Sequence, residues 1–297
     1  MLKEILDQVI EISIETGKFL KDERKSIKTS EIEMKSGKND LVSRADKEAE
    51  RRFVDYLRKV LPEAGYIAEE GTGERAEKYN WIIDPLDGTT NYLFGIPCYC
   101  TSVALWKEGE ILVGVIYDPE HDECFSAAKG LGAFLNGEPM NVSAQKDMQL
   151  SLLATGFPYD NKGRQMEYLN ILAKMNSNSR GIRRLGAAAV DMAYVACGRL
   201  DGFYEYGLSA WDVAAGALII EEAGGNISNE ENPFGLPRGH DGSSFELERC
   251  SNDQLDIIAY CLDHVRKWIE SFDGEGGFEP LRLTVTGVAG SGKSTFI

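Results

Sequence analysis

Residues 81–91 read Trp-Ile-Ile-Asp-Pro-Leu-Asp-Gly-Thr-Thr-Asn, a short apolar run followed by two carboxylates and a small polar turn. The apolar run predicts a buried strand. Pro85 cannot donate to a sheet, so we expect the strand to end at Asp84 and to leave Asp84 and Asp87 at its carboxyl end. Paired carboxylates suit Mg²⁺, and the N–H groups of the following turn suit phosphate. A simple turn is an equally good interpretation, because Asp, Pro and Gly all favour turns.

The overall composition is that of an acidic globular chain. Its 297 residues permit one large domain or two medium ones. The formal net charge of −16 disfavours nucleic acid and anionic membranes as partners. We find no apolar run near the roughly 20 residues that cross a bilayer, and no signal peptide. Six cysteines without C-x-x-C spacing predict reduced thiols in a cytoplasmic protein, and the three histidines form no zinc pattern.

Hydrophobic periodicity predicts an alternation of helices and strands along the chain. We expect helices near residues 2–19, 44–60, 168–175, 186–198 and 213–223, and strands near residues 66–68, 100–106, 111–117, 123–127, 152–155 and 203–206. The three strands between residues 100 and 127 should form an antiparallel meander, and Asn136-Gly137 should turn a hairpin.

Several further acids lie at the ends of predicted elements. Glu69 and Glu70 follow the strand near residues 66–68, Asp46 lies in the first turn of the second helix, and Asp212 begins the last one. Each has a structural alternative to a functional role. The glutamate pair fits an exposed surface, Asp46 fits the helix dipole, and Asp212 fits an N-cap.

Together these marks closely resemble the inositol monophosphatase family, the Mg²⁺-dependent, lithium-sensitive phosphatases related to fructose-1,6-bisphosphatases. The resemblance rests on residues 84–91, on Glu69-Glu70, and on the run Trp-Asp-Val-Ala-Ala-Gly-Ala-Leu-Ile-Ile-Glu-Glu-Ala-Gly-Gly at 211–225. It covers about residues 1–228. It implies an α+β fold with layered α/β/α/β architecture: a largely antiparallel sheet with helices in one half, a second sheet in the other, and the site between them. It also implies a homodimer.

The resemblance implies a role for each matching residue. Two or three Mg²⁺ ions per site would be held by Glu69, Asp84, the carbonyl of Leu86, Asp87 and Asp212. Thr89 and Asp46 would orient the attacking water, with Glu70 and Lys35 assisting. The substrate would contact Asp87, Gly88, Thr89, Gly186, Ala187, Ala188 and Glu205.

The implied reaction is hydrolysis of a small phosphate monoester to an alcohol and inorganic phosphate by metal-activated water. Inositol monophosphate or a related polyol or sugar phosphate is the first candidate substrate. The alternatives are 3′-phosphoadenosine phosphate and fructose-1,6-bisphosphate. Glu205 favours a polyol, because a carboxylate accepts hydrogen bonds from hydroxyl groups.

Past Ser228 the resemblance fades. We expect a polar linker over 229–253 and an amphipathic helix from Gln254, followed by a strand at 281–286. We therefore expect the second sheet to lack its last strand and to expose an edge near Gly225. The predicted helix or the strand at 281–286 would then cover that edge.

Residues 287–294 read Gly-Val-Ala-Gly-Ser-Gly-Lys-Ser and fit the phosphate-binding P-loop, with Gly287, Gly292, Lys293 and Ser294 as its defining positions. This tail resembles the opening of a DNA helicase or a related P-loop NTPase, truncated after the motif. The chain therefore reads as a chimera that carries a P-loop remnant. A nucleotide-binding protein and a catalytically dead phosphatase scaffold are the alternative functions of a different class.

Overall fold

The computed structural model describes residues 2–26, 33–34, 41–42, 44–157, 165–229 and 255–260. The helices are α1 Leu2–Glu23, α2 Arg44–Val60, α3 Thr89–Phe94, α4 Gln165–Asn178, α5 Ala188–Ala196 and α6 Ala210–Glu222. The strands are β1 Glu33–Met34, β2 Leu41–Val42, β3 Gly65–Ala68, β4 Tyr79–Asp87, β5 Cys100–Lys107, β6 Glu110–Asp118, β7 Glu123–Ala128, β8 Gly132–Leu135, β9 Glu138–Pro139, β10 Leu152–Thr155, β11 Gly181–Arg183, β12 Gly202–Leu208, β13 Asn226–Asn229 and β14 Leu255–Tyr260.

A seven-stranded sheet in the order β3-β4-β5-β6-β7-β8-β9 forms the first half. Only β3 and β4 are parallel, and the other neighbours are antiparallel. Side chains on successive strand residues point to opposite faces, and both faces of this sheet are covered. Trp81 and Ile83 pack with α1 and α2, whereas Ile82 between them packs with α5 and α6.

A five-stranded sheet in the order β11-β10-β12-β14-β13 forms the second half. Its Phe203 and Ala154 lie in the same core cluster as Met192 of α5 and Ile219 of α6. The two helices therefore lie between the sheets. With α1 and α2 outside, the layers are α/β/α/β, as the family resemblance implies.

Strand β4 differs from its predicted end. It continues through Pro85 to Asp87, but its pairing with β5 is irregular between Asp84 and Asp87. Because the ladder is interrupted there, the missing N–H of Pro85 costs no regular pairing. The expected stop at Asp84 is therefore wrong. The two aspartates instead bracket an irregularity inside one strand.

The helix predicted from Gln254 is also wrong over residues 255–260. These residues form β14, which pairs antiparallel with β12 on one side and with β13 on the other. A short apolar run does not distinguish strand from helix by periodicity, and here pairing with two neighbouring strands decides it. The expected gap beside β13 is thus filled by β14. Residues 281–286, the other candidate to cover it, lie outside the described part of the chain.

Other local predictions agree with the structure. The meander is β5, β6 and β7, and Asn136 and Gly137 both have positive φ in the turn between β8 and β9. Helix α5 begins at Ala188, two residues after its predicted start, since Gly186 has φ +92° and lies before the helix. Within the described ranges, no helix combines the length and the apolar character needed to span a membrane.

Candidate active site

Two buried aspartates, Asp84 and Asp87, lie at the irregular end of β4. Asp84 and Asp87 are 2% and 9% exposed. Asp84 accepts a 3.0 Å hydrogen bond from the N–H of Leu86, which closes the turn around Pro85. Asp87 accepts 2.7 Å and 3.7 Å hydrogen bonds from the N–H of Ala189 and the thiol of Cys100. The N–H of Ala189 belongs to the first turn of α5, whose dipole favours a carboxylate at this end.

Glu69 is brought to Asp84 by strand register. Ala68 pairs in parallel with Ile83, so the next residue of each strand lies at the same edge, and the Glu69 N–H donates to the Ile83 carbonyl at 3.2 Å. After Glu69 the chain turns at Gly71. The N–H groups of Glu70 and Thr72 in this turn both donate to the carboxylate of Glu50 on α2.

Asp212 comes from the third element of the site, helix α6. Ser209 is the N-cap, and Asp212 three residues later accepts a 2.5 Å hydrogen bond from the Ser209 N–H. Asp212 is therefore not itself the N-cap, although it does help to satisfy the helix start. Ser102 of β5 donates to the Trp211 carbonyl at 3.2 Å, which ties the start of α6 to the large sheet.

Burial and neighbouring charges raise the pKa values of three of these acids. Burial, and then the charges of Glu69, Asp87 and Asp212, raise the pKa of Asp84 well above its usual range. Burial raises the pKa of Asp87 to about 6, against the lowering effect of the Ala189 N–H. Part of Asp212 is accessible to solvent, yet enclosure by protein atoms, followed by the charges of Asp87 and Glu69, raises its pKa as well. Elements distant in sequence thus bring four acids into mutual repulsion.

A hard divalent cation fits this donor set by its chemistry. The candidate ligands are all oxygen atoms, four of them carboxylates and one the Leu86 carbonyl, which is the preference of Mg²⁺. Among the described residues, no three His, Cys, Asp or Glu side chains already stand together as a complete ligand set. The fit therefore rests on charge, because a bound cation would relieve the repulsion that raises these pKa values.

The predicted phosphate side of the site is a tight turn between β4 and α3. Gly88 has φ +87°, and a Cβ there would lie 3.0 Å from the Cys98 carbonyl, so the turn requires glycine. Thr89 begins α3, and its hydroxyl donates to the Leu86 carbonyl at 3.0 Å. The Asn91 side chain donates to the carbonyls of Cys98 and Leu185 at 2.7 Å and 2.8 Å, which joins this turn to the segment before α5.

The predicted alcohol side also lies nearby. Gly186, Ala187 and Ala188 lead into α5, beside Asn91 and Asp87. Glu205 lies on β12, and burial raises its pKa to about 8; Arg184 lowers this pKa and Asp87 raises it. Sequence reasoning missed two neighbours of Glu205. Gly156 leaves room for its carboxylate, because a Cβ there would overlap it, and Arg184 supplies the opposing charge.

The structure describes two of the remaining predicted residues, Asp46 and Glu70, and leaves the others outside its described ranges. Asp46 is buried in the first turn of α2, and its charge raises the pKa of Tyr92 on α3, so Asp46 lies near the helix that carries Thr89. Glu70 adjoins Glu69 in the turn held by Glu50. Lys35 and residues 287–294, with Gly287, Gly292, Lys293 and Ser294, lie outside the described residues.

Glu50 is a further residue that sequence reasoning missed. It is 0% exposed and stands four positions after Asp46 on the same buried side of α2. An acid among the apolar positions of an amphipathic helix was the available signal, because a carboxylate is almost never buried without a partner.

Comparison with known proteins gives a consistent result. The sequence model of the inositol monophosphatase family matches residues 1–241. The match therefore extends beyond Ser228, the last residue covered by the resemblance of the motifs. An inositol-1-monophosphatase of Mesorhizobium japonicum is 40% identical over 227 residues, covering 76% of this chain and 85% of that protein. A Nus factor SuhB of Pseudomonas aeruginosa is 46% identical over 199 residues, covering 64% and 72%.

Solved structures agree with this result. The extragenic suppressor protein suhB of Bartonella henselae has a TM-score of 0.78 at 36% identity, covering 92% of this chain and 100% of that one. The inositol monophosphatase of Anabaena (Nostoc) has a TM-score of 0.71 at 35% identity, covering 87% and 91%. The fold, the acidic site and these similarities together show that this chain is a phosphatase acting on phosphate monoesters and belongs to the inositol monophosphatase family.

Proposed function

We propose that the protein hydrolyses the phosphate monoester of a small polyol, inositol monophosphate first among them, with two or three Mg²⁺ ions in its site. The observation that carries this proposal is the acid cluster of Glu69, Asp84, Asp87 and Asp212, in which the charges of Glu69, Asp87 and Asp212 raise the pKa values of neighbouring acids. The glycine turn at Gly88 follows directly after this cluster. An inositol-1-monophosphatase is also among the relatives that match most of this chain.

In this proposal each group of the site has a separate role. The carboxylates and the Leu86 carbonyl hold the cations, and bound Mg²⁺ supplies positive charge for the oxygens on which negative charge develops. The N–H groups at Gly88 and Thr89 donate to the phosphate oxygens. The Thr89 hydroxyl and Asp46 orient the attacking water for in-line attack. Glu70 and Lys35 assist from the edge of the site.

On the alcohol side, Glu205 accepts hydrogen bonds from substrate hydroxyl groups. Arg184 lowers the pKa of Glu205, opposing the larger effect of burial that raises it. Gly186, Ala187 and Ala188 carry no bulky side chains, so the substrate can approach the start of α5 closely. Asp87 interacts with both sides, since its charge raises the pKa of Glu205 and the charge of Glu69 raises the pKa of Asp87.

A substrate panel tests the proposal. Phosphate release is measured in the presence of Mg²⁺, with and without lithium, from inositol monophosphate, fructose-1,6-bisphosphate and 3′-phosphoadenosine phosphate. We expect the highest kcat/KM for inositol monophosphate and inhibition by lithium. A higher kcat/KM for either of the other two would replace the polyol assignment with that substrate.

The functions of another class are tested in the same assay. A nucleotide-binding role would rest on residues 287–294, and Lys293→Ala removes its lysine. We expect Lys293→Ala to retain phosphate release and Asp87→Asn to lose it. Wild-type protein that folds, binds Mg²⁺ and hydrolyses none of the panel would instead be a catalytically dead scaffold.

We also propose a cytoplasmic homodimer. The free thiols of Cys98, Cys100, Cys124 and Cys197, all within the described residues, support a reducing compartment. Phe94, the last residue of α3, and Ile96 are 68% and 48% exposed, and they support a surface that a second copy covers. Light scattering after size-exclusion chromatography should give twice the chain mass, and a monomer at micromolar concentration would contradict the dimer.

A further inference from the structure

Glu50 makes a pair of contacts with the turn that carries Glu69. One carboxylate oxygen accepts the Glu70 N–H at 2.7 Å, and the other accepts the Thr72 N–H at 2.8 Å. Glu50 itself is 0% exposed on α2. Two short hydrogen bonds to one buried carboxyl group therefore join the turn to α2.

The same turn is anchored on its other side by the large sheet. The Glu69 N–H donates to the Ile83 carbonyl at 3.2 Å, and the Gly71 N–H donates to the Ala68 carbonyl at 3.1 Å. Gly71 has φ +84°, which lets the chain reverse between the two residues that Glu50 binds. The backbone of Glu69 therefore lies between two attachments, one to β4 and one to α2.

Helix α2 also carries Asp46, one helical turn before Glu50. Both acids are buried, and residues four apart lie on the same side of a helix. One rigid element thus holds both the acid that we assign to the attacking water and the turn of Glu69. The position of each relative to Asp84 then depends on the same helix.

We propose that Glu50 is a positioning residue for the metal site: by binding the N–H groups of Glu70 and Thr72, it holds the Glu69 carboxylate beside Asp84 before any cation arrives. This inference rests on the proposed function. Residues that orient metal ligands without touching the metal commonly change metal affinity 10–100-fold when they are substituted. Glu50 has this relationship to Glu69.

The experiment compares Glu50→Gln, Glu50→Asp and wild type. An amide has one acceptor oxygen, so Glu50→Gln loses one of the two contacts, whereas Glu50→Asp keeps both acceptors on a shorter arm. Mg²⁺ binding is measured by isothermal titration calorimetry, and the Mg²⁺-induced shift of Tm is measured by differential scanning calorimetry. We expect Glu50→Gln to bind Mg²⁺ about tenfold more weakly, and Glu50→Asp to recover part of the loss.

Two further variants separate positioning from stability. Val54→Ala removes a buried methyl pair from α2, but Val54 makes neither of the two hydrogen bonds of Glu50, so the variant should lower Tm while leaving Mg²⁺ affinity unchanged. Thr72→Pro deletes one of the two donors at an exposed residue, so it tests the contact even where Glu50→Gln fails to fold. We expect Thr72→Pro to weaken Mg²⁺ binding in the same direction as Glu50→Gln.

The outcomes distinguish this inference from the proposed function. Wild type that binds no Mg²⁺ would overturn the proposed function. Wild type that binds Mg²⁺, with unchanged affinity in the folded Glu50 and Thr72 variants, would overturn only the positioning role. Weaker Mg²⁺ binding in Val54→Ala as well would show a general effect of stability and would also overturn it.

Discussion

The carboxylate of Asp87 accepts a 2.7 Å hydrogen bond from the N–H of Ala189, a residue 102 positions further along the chain. This contact joins the acid end of β4 to the first turn of α5, which follows the predicted substrate residues Gly186 and Ala187. One side chain therefore links the candidate metal side of the site to its alcohol side. Loss of the Asp87 charge should therefore affect both the metal side and the alcohol side of the site.

Asp87→Asn should lower phosphate release about 100-fold or more, because the amide keeps an oxygen for the Ala189 N–H but loses the charge that holds a cation. The Mg²⁺-induced rise in Tm should shrink as well. Steady-state phosphate release and thermal scans with and without Mg²⁺ measure both effects.

Asp201→Asn is the matched control for this substitution. Asp201 has the same 9% exposure as Asp87 and also accepts a 2.7 Å hydrogen bond from a backbone N–H, that of Leu152. Asp201→Asn should retain phosphate release and the Mg²⁺-induced shift. Equal losses in the two variants would show that the effect is one of folding.

The stability of the metal-free protein should depend on Glu205. Burial raises the pKa of Glu205 from 4.5 to about 8. Between these two pH values the folded protein keeps a proton that the unfolded chain releases, so the free energy of unfolding falls as the pH rises through this window. Glu205→Gln mimics the protonated form and should flatten the fall. Tm measured in the presence of a chelator from about pH 5 to about pH 9 tests this linkage.

Glu138→Gln, at an exposed acid on β9, serves as the control because its Tm profile should follow that of wild type. Parallel profiles for wild type and Glu205→Gln would contradict a raised pKa at Glu205.

Gly156→Ala should disturb substrate selectivity. A Cβ at Gly156 would overlap the Glu205 carboxylate, so the side chain must move away from its present position. We expect kcat/KM for inositol monophosphate to fall about tenfold relative to that for p-nitrophenyl phosphate, which offers no hydroxyl groups to Glu205. The double variant with Glu205→Gln should lose no more selectivity than either single variant.

Gly17→Ala places a comparable clash, with the ring of Tyr117, in the layer of α1 away from the site. It should lower Tm without changing the ratio of the two substrates. A Gly156→Ala variant with wild-type selectivity would separate Gly156 from Glu205.

Ile258→Pro should destabilise the protein by several kcal/mol, because Ile258 pairs with Tyr204 on one side and Ser228 on the other. Since β13 joins the sheet through β14, the start of β13 should become open to proteolysis. Urea denaturation and limited proteolysis measure these effects. Ile258→Val keeps the N–H and the β-branched shape, so it should behave as wild type; equal stability of the proline variant would contradict the pairing.

Much of the fold follows from local pattern. The apolar run at residues 81–83 predicts a buried strand, and in β4 Trp81 and Ile83 pack in one core while Ile82 packs in the other. Asn136 and Gly137 adopt the positive φ that their turn chemistry favours. These predictions succeed because periodicity and turn propensity act over a few residues. The predicted end of β4 at Asp84 is wrong because an irregularity in the pairing with β5 accommodates Pro85.

The residue types of two motifs already predict the chemistry: the acids of residues 84–91 and Asp212 suit a divalent cation and a phosphate ester. The folded chain alone shows which acids lie close together, that β14 pairs between β12 and β13, and that Glu50 binds the turn after Glu69. These contacts join residues far apart in the chain. Their formation depends on the register of the strands and the packing of α2, α5 and α6 between and beside the sheets, which no local pattern specifies.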